Sequence, residues 1–267
     1  MAVQLDVGHA VVLAPGEGEA VFDQTERTIR ILVDRDELTV SWFRYEPGQE
    51  GPDPHVHRRH TDAFYVLEGE LELGLGPEVQ RLRGAAGTFV AAPPNVVHTF
   101  RNSSDATAVF LNIHAPGMGF GDMLRARRDG RDEDAERFDQ FDPPADGGRP
   151  LDAAIVAQPG GGERFDRGNR EIVVLGAVEH LSVFDSRYDT DWEGVDPHTH
   201  DDHVDSFFVL EGEVEFTVGE GARIAEPGGF VAAPPGVRHG FRTDSNRIRV
   251  LNLHAPDAGF AARVRGM

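Results

Sequence analysis

The chain has no cysteine, and all 26 of its basic residues are arginine. The first absence excludes disulfides, thiolate catalysis, zinc fingers and iron–sulfur clusters. The second removes a Schiff-base lysine, a P-loop and a pyridoxal site; a coding bias toward arginine accounts for it without invoking function. Positive charge is short overall, with 26 basic residues against 46 acidic and a net charge of −20, which argues against nucleic acid or an anionic membrane surface as partner. Long apolar runs are missing too: no segment approaches the roughly 20 apolar residues of a membrane helix. The opening MAVQLDVGHAVVLAPGEGE lacks a basic stretch followed by a long apolar one. A signal peptide is therefore not expected, and the chain reads as soluble and cytoplasmic.

What the chain does have is histidine in register with itself. Pro54–Gly69, PHVHRRHTDAFYVLEG, returns as Pro197–Gly212, PHTHDDHVDSFFVLEG, 143 residues later. Residues i and i+2 of a strand point to the same face, so His55 with His57, and His198 with His200, can aim two imidazoles at one point, half of a metal site. Gly87–Asn102 recurs as Gly229–Thr243, where a Pro-Pro turn delivers His98 or His239 to the start of another strand. His60 with His203, and His114 with His254, complete five matched pairs; only His9 and His180 are single. Histidines that merely filled the surface would not keep this register.

Runs rich in Val, Ile, Thr and Phe, broken by Gly, Pro and Asp about every ten residues, give an all-β reading. Leu71, Leu73 and Leu75 alternate with Glu72 and Gly74, the period of a half-buried strand. The repeat divides the 267 residues into two domains, 1–121 and 151–267, around a segment 122–150. That segment is charged, with Met123, Leu124, Phe138 and Phe141 as its few large apolar residues; it reads as a short helix, then a linker with a solvated face.

These motifs resemble the cupin superfamily, specifically a bicupin with two fused jelly-roll barrels similar to the quercetinase-like dioxygenases. The first family motif, HxH, three or four residues, Glu, six residues, Gly, fits His55, His57, Asp62 and Gly69, and again His198, His200, Asp205 and Gly212, with aspartate in place of glutamate. The second fits Gly87, Pro93, Asn95, His98 and Asn102, and then Gly228, Pro234, Gly236 and His239, with Thr243 in place of the final asparagine. The resemblance implies one divalent metal per barrel, held by His55, His57, Asp62 and His98 and by His198, His200, Asp205 and His239. Imidazole and carboxylate without sulfur suit Fe, Mn, Ni, Co, Cu or Zn. Aspartate is about 1.3 Å shorter than glutamate, so His60 and His203 are rival fourth ligands, and a three-histidine site is the third option. His114 and His254 share strand parity with Asn112 and Asn252 and are candidates to line the cavity or to hydrogen-bond to ligands. Phe64, Tyr65, Phe100, Phe110, Phe207, Phe208 and Phe241 are expected in the barrel cores, some as pocket wall. Arg58 and Arg59 follow the first HxH where Asp201 and Asp202 follow the second; if they face the barrel mouths, the first site favours an anionic substrate.

The resemblance implies a dioxygenase acting on a small aromatic or enolic substrate with O2, Asp62 or Asp205 taking a proton. The same ligands would serve a non-oxidative isomerase, lyase or decarboxylase, and a ligand-binding cupin without catalysis is the third reading. A homodimer formed through sheet faces is the assembly such proteins often adopt.

Overall fold

The computed structural model describes residues 10–243 and 247–266; His9 lies outside them. Its strands pair antiparallel throughout and fall into two units, each a two-sheet jelly roll. In the unit 19–161 the larger sheet runs, in spatial order, Ile155–Ala157, Phe89–Ala92, Thr61–Glu68, Ala108–Ala115, Thr39–Tyr45, Arg27–Asp34 and Glu19–Asp23. The smaller holds His98–Arg101, Glu70–Leu75 and Gln80–Ala85. Alternation puts Ile29, Ile31, Phe43, Phe64 and Phe110 of the larger sheet against Leu71, Leu73, Leu75 and Phe100 of the smaller. Glu72, on the outward parity of its strand, is nevertheless buried, held by Arg101 Nε and Ser103 Oγ at 2.8 Å each.

The second unit repeats this plan. Its larger sheet runs Val11–Leu13, Phe230–Ala233, Val204–Glu211, Ile248–Ala255, Leu181–Tyr188, Arg170–Val178 and Glu163–Asp166, and its smaller one Val195–His198, His239–Arg242, Val214–Val218 and Gly221–Ala225. The boundaries differ from the expected 1–121 and 151–267. Residues 155–157 add an edge strand to Phe89–Ala92 in the first unit, and residues 11–13 add one to Phe230–Ala233 in the second. All four residues of each covered strand are buried, so each apolar edge takes a partner strand from beyond the repeat. The repeat locates copies of a motif; it does not say which sheet edge a flanking strand joins.

The segment after the first barrel also departs from expectation. A helix, Phe120–Arg128, is followed by a single helical turn, Ala135–Phe138, and a short strand, Gln140–Phe141, which pairs with Val56–His57. The charged run is therefore not simply a solvated face: Asp139 is completely buried. Among the described residues no helix is long and apolar enough to cross a membrane.

Phe110 stacks on Phe43 at a ring-centroid distance of 5.0 Å and is fully buried between the sheets. Phe110→Ala is expected to lower unfolding free energy by about 3–5 kcal/mol, read from urea denaturation followed by far-ultraviolet circular dichroism.

Candidate metal centre and cavity

In the first unit the strand geometry brings one atom each from His55, His57, Asp62 and His98 within 4.8 Å of one another, all buried. Asp62 Oδ2 lies 3.2 Å from His98 Nε2 and 3.7 Å from His57 Nε2. The opposite nitrogens face outward onto carbonyls: His55 Nδ1 reaches Asp53 O at 2.8 Å, His98 Nδ1 reaches Val96 O at 3.0 Å, and His57 Nδ1 reaches Asp139 O at 2.9 Å. Donation of Nδ1–H to a carbonyl leaves the Nε2 lone pair aimed at the centre.

The donor set passes a test of fit for a metal cation. His57 Nε2 is buried and has no hydrogen-bond partner among the described residues, an arrangement that costs free energy unless something else occupies the centre. Because His98 Nδ1 is committed to Val96 O, its contact with Asp62 needs a proton on Nε2 or on the carboxyl, and a cation can take that proton's place. Burial raises the Asp62 carboxyl, but His114, the nearby His57 ring and the hydrogen bond with His98 outweigh it and hold the pKa well below the usual carboxylate range. Burial holds His55 well below the ordinary histidine value, with His98 and His57 adding. Deprotonated imidazole and ionised carboxylate are the forms that ligate.

His60 points elsewhere. With His57 and His114 it offers a second trio within 4.8 Å, but both its nitrogens are engaged, Nδ1 with Asp139 Oδ2 at 2.8 Å and Nε2 with His114 Nδ1 at 2.9 Å. Burial lowers its pKa to about 4 against the pull of Asp139. His114 stacks on Phe120 at 3.6 Å and lies 3.5 Å from Asp62 Oδ1, which also accepts from Asn112 Nδ2.

Asp139 is the residue that sequence reasoning missed. At φ 60°, a conformation aspartate tolerates, its carbonyl meets His57 while its carboxylate accepts from His60, from the Arg58 and Arg59 amides at 3.1 and 2.8 Å, and from Arg59 Nε at 3.0 Å. Arg58 lies over the Phe141 ring, 3.6 Å from its centroid. The arginine pair therefore grips the segment 122–150 and does not line the cavity. The signal available in the sequence was a pair of aromatics, Phe138 and Phe141, bracketing one aspartate in a charged run.

A cavity of about 260 Å³ opens onto His55, His57, Asp62, Asn112 and His114. Its wall includes Phe43 and Phe100 of the barrel, with Phe120, Met123 and Leu124 of the helix. The spacing i, i+3, i+4 turns those three helical residues to one face.

The second unit gathers His198, His200 and His239 within 4.8 Å, without the aspartate. Asp205 stays 3.1 Å from His239 Nε2, 3.8 Å from His200 Nε2 and hydrogen-bonded to Asn252 Nδ2. Burial raises its carboxyl, but His254 and His239 outweigh it and depress the pKa. His198 and His239 donate Nδ1–H to Asp196 O and Val237 O. No carbonyl takes Nδ1 of His200 among the described residues, and its side chain is 22% exposed where that of His57 is 3% exposed. His203 Nδ1 bonds instead to the exposed Asp202, while His203 Nε2 and His254 Nδ1 lack partners among the described residues.

The family model described as Cupin domain matches residues 41–114 and 187–254, more than half of the chain. The chain belongs to the cupin family. Quercetin 2,3-dioxygenase of Bacillus subtilis (strain 168) is 30% identical over 110 residues, 40% of this chain and 32% of that protein. An Arabidopsis thaliana germin-like protein, subfamily 2 member 2, is 38% identical over 88 residues, 30% of this chain and 40% of that one. The chain thus spans less than half the length of these two relatives. Among solved structures, Escherichia coli protein Ylba superposes with a TM-score of 0.67 at 11% identity, covering 95% of this chain and 93% of that one. Lactobacillus farciminis oxalate decarboxylase does so with 0.63 at 10% identity, covering 96% and 88%. At such identities the likeness shows the fold, a two-barrel cupin. Relatives and donor groups together support a metal-dependent bicupin of unassigned metal.

Asp139→Ala removes four hydrogen bonds to a buried carboxylate and loosens the carbonyl that orients His57. Expected are a loss of about 2–4 kcal/mol in stability and a 10–100-fold weaker metal affinity at the first site, measured by denaturation and competitive chelator titration.

Proposed function

We propose that this cupin is a metal-dependent dioxygenase of a small aromatic or enolic molecule, and that it works in the unit 19–161. The observation that carries the reading is the buried, unpartnered His57 Nε2, set among two further imidazoles and a carboxylate at the end of an aromatic-walled cavity. The likeness to quercetin 2,3-dioxygenases of Bacillus subtilis and Aspergillus japonicus supports the same class. A divalent transition metal held by His55, His57, His98 and Asp62 would supply Lewis acidity and electron exchange with O2.

The rest is done by the chain's own side chains. Phe43 and Phe100 hold a flat apolar body and exclude water. Asp62 accepts the proton that an enol or phenol O–H loses on binding, its other oxygen fixed by Asn112. His60 and Asp139 buttress the wall behind His57. A volume of about 260 Å³, below the ~300 Å³ lower end of drug-sized pockets, favours an occupant of one ring or a short acid over a three-ring flavonol. In the second unit the same proposal gives His198, His200 and His239 a cation with Asp205 outside the cluster, a more open site with a binding or supporting role.

Metal content by plasma mass spectrometry, on untagged protein purified without chelators, is expected at two per chain, falling to one in His57→Ala and in His200→Ala. O2 uptake with β-diketones and small phenols is expected to vanish in His57→Ala and to survive in His200→Ala. A metal-loaded wild type that turns over an enolisable substrate without consuming O2 would replace this reading with a non-oxidative isomerase or lyase.

A further inference from the structure

The cavity of the first unit carries two arginines that the site as described does not use. Arg27 shares parity with Ile29 and Ile31 on its strand, so the inward stripe of the barrel wall continues into a guanidinium where an apolar residue would be expected. Its cross-strand partner is Tyr45, another lining residue. Arg127 extends the helix face Phe120, Met123, Leu124 by one more step, to i+7, and reaches the same cavity. Neither arginine has an ion pair among the described residues; the Arg27 guanidinium lies over the Phe22 ring, 4.3 Å from its centroid, and bonds to Tyr45, while its Nε is buried with no hydrogen-bond partner among them.

The chain has 46 acidic residues to 26 arginines, and Arg125 and Arg128, on the same helical turn, are taken up by Glu19, Asp34, Asp122 and Asp129. Arg27 and Arg127 both line the cavity; two like charges beside one cavity are relieved by an anion between them. The acids on the cavity wall are committed elsewhere, Asp62 to the histidines and Glu50 to Arg101 at 3.5 Å. The Arg–Tyr pair recurs in the second unit as Arg170 opposite Tyr188, but Tyr188 there stacks on Trp192 at 3.9 Å, and the sequence counterpart of Arg127 is Met267.

We propose that Arg27 and Arg127 form an anion-binding subsite, and that the cavity of the first unit takes a small organic carboxylate whose apolar body lies along Phe43 and Phe100 with its far end toward His55, His57 and Asp62. The proposal rests on the reading of that cavity as the reaction site and names its substrate class. Guanidinium forks match a carboxylate in charge and in planar geometry.

The test uses benzoate and its neutral isostere benzamide as probes, titrated calorimetrically into the 267-residue chain as purified and after chelation. Wild type is expected to bind benzoate at least tenfold more tightly than benzamide. Arg27→Gln and Arg127→Gln are each expected to weaken benzoate by about tenfold and to leave benzamide unchanged, while Arg58→Gln changes neither. Arg127 is exposed at the helix end, so its variant keeps the fold whatever Arg27→Gln does. Benzoate bound no better than benzamide, or bound equally by both arginine variants, overturns the subsite. Metal content measured in the same samples separates the two readings: a metal-free wild type that still selects benzoate removes the metalloenzyme and keeps the anion subsite.

Discussion

Three imidazoles that share one point through Nε2 leave their Nδ1 protons to be placed elsewhere. In this chain the commitment is largely local: His55, His98, His198 and His239 each donate to the carbonyl two residues earlier. Backbone that is extended at each histidine presents that carbonyl at the right reach, so the β-fold itself selects the tautomer. The exceptions are His57, whose carbonyl partner is Asp139, 82 residues away, and His200, which meets no carbonyl among the described residues. The first site is thus complete only when the segment after the barrel returns to close it.

That return accounts for the difference between two sites built from the same motif. In the first, Asp139 ties together His57, His60 and the Arg58–Arg59 backbone, and every ligand candidate is buried. In the second, His203 turns to its exposed neighbour Asp202, no carbonyl among the described residues takes His200, and the aspartate stays outside the cluster. Low dielectric strengthens interactions around a buried charge, which makes the closed site the better setting for chemistry and the open one better suited to exchange with solvent.

The helix following the first barrel has two jobs, set by its two faces. Arg125 and Arg128 pin it to Glu19 and Asp34, while Phe120, Met123, Leu124 and Arg127 roof the cavity. An apolar roof with one cation at its end suits an occupant with an apolar body and one charged end. The arginines that follow the HxH motif serve the scaffold instead, because Arg59 pairs with Asp139 and Arg58 lies over Phe141.

Local chemistry was enough to specify much of this protein. Alternation of apolar residues gave the strands, the i, i+2 histidines gave a shared face, and the doubled motif gave two cupin barrels with the residues that converge in each. These are short-range properties: strand period and turn type are settled within a few residues. What the sequence could not decide is whatever depends on distant segments meeting. Which barrel the strands at 11–13 and 155–157 complete, that Asp139 is buried rather than solvated, that Arg59 turns to it while Arg27 and Arg127 reach the cavity, and that Asp62 joins its cluster where Asp205 does not, are all settled by tertiary contact. A charged side chain's partner is chosen by proximity in the folded chain, and neither its type nor its neighbours in sequence carry that information.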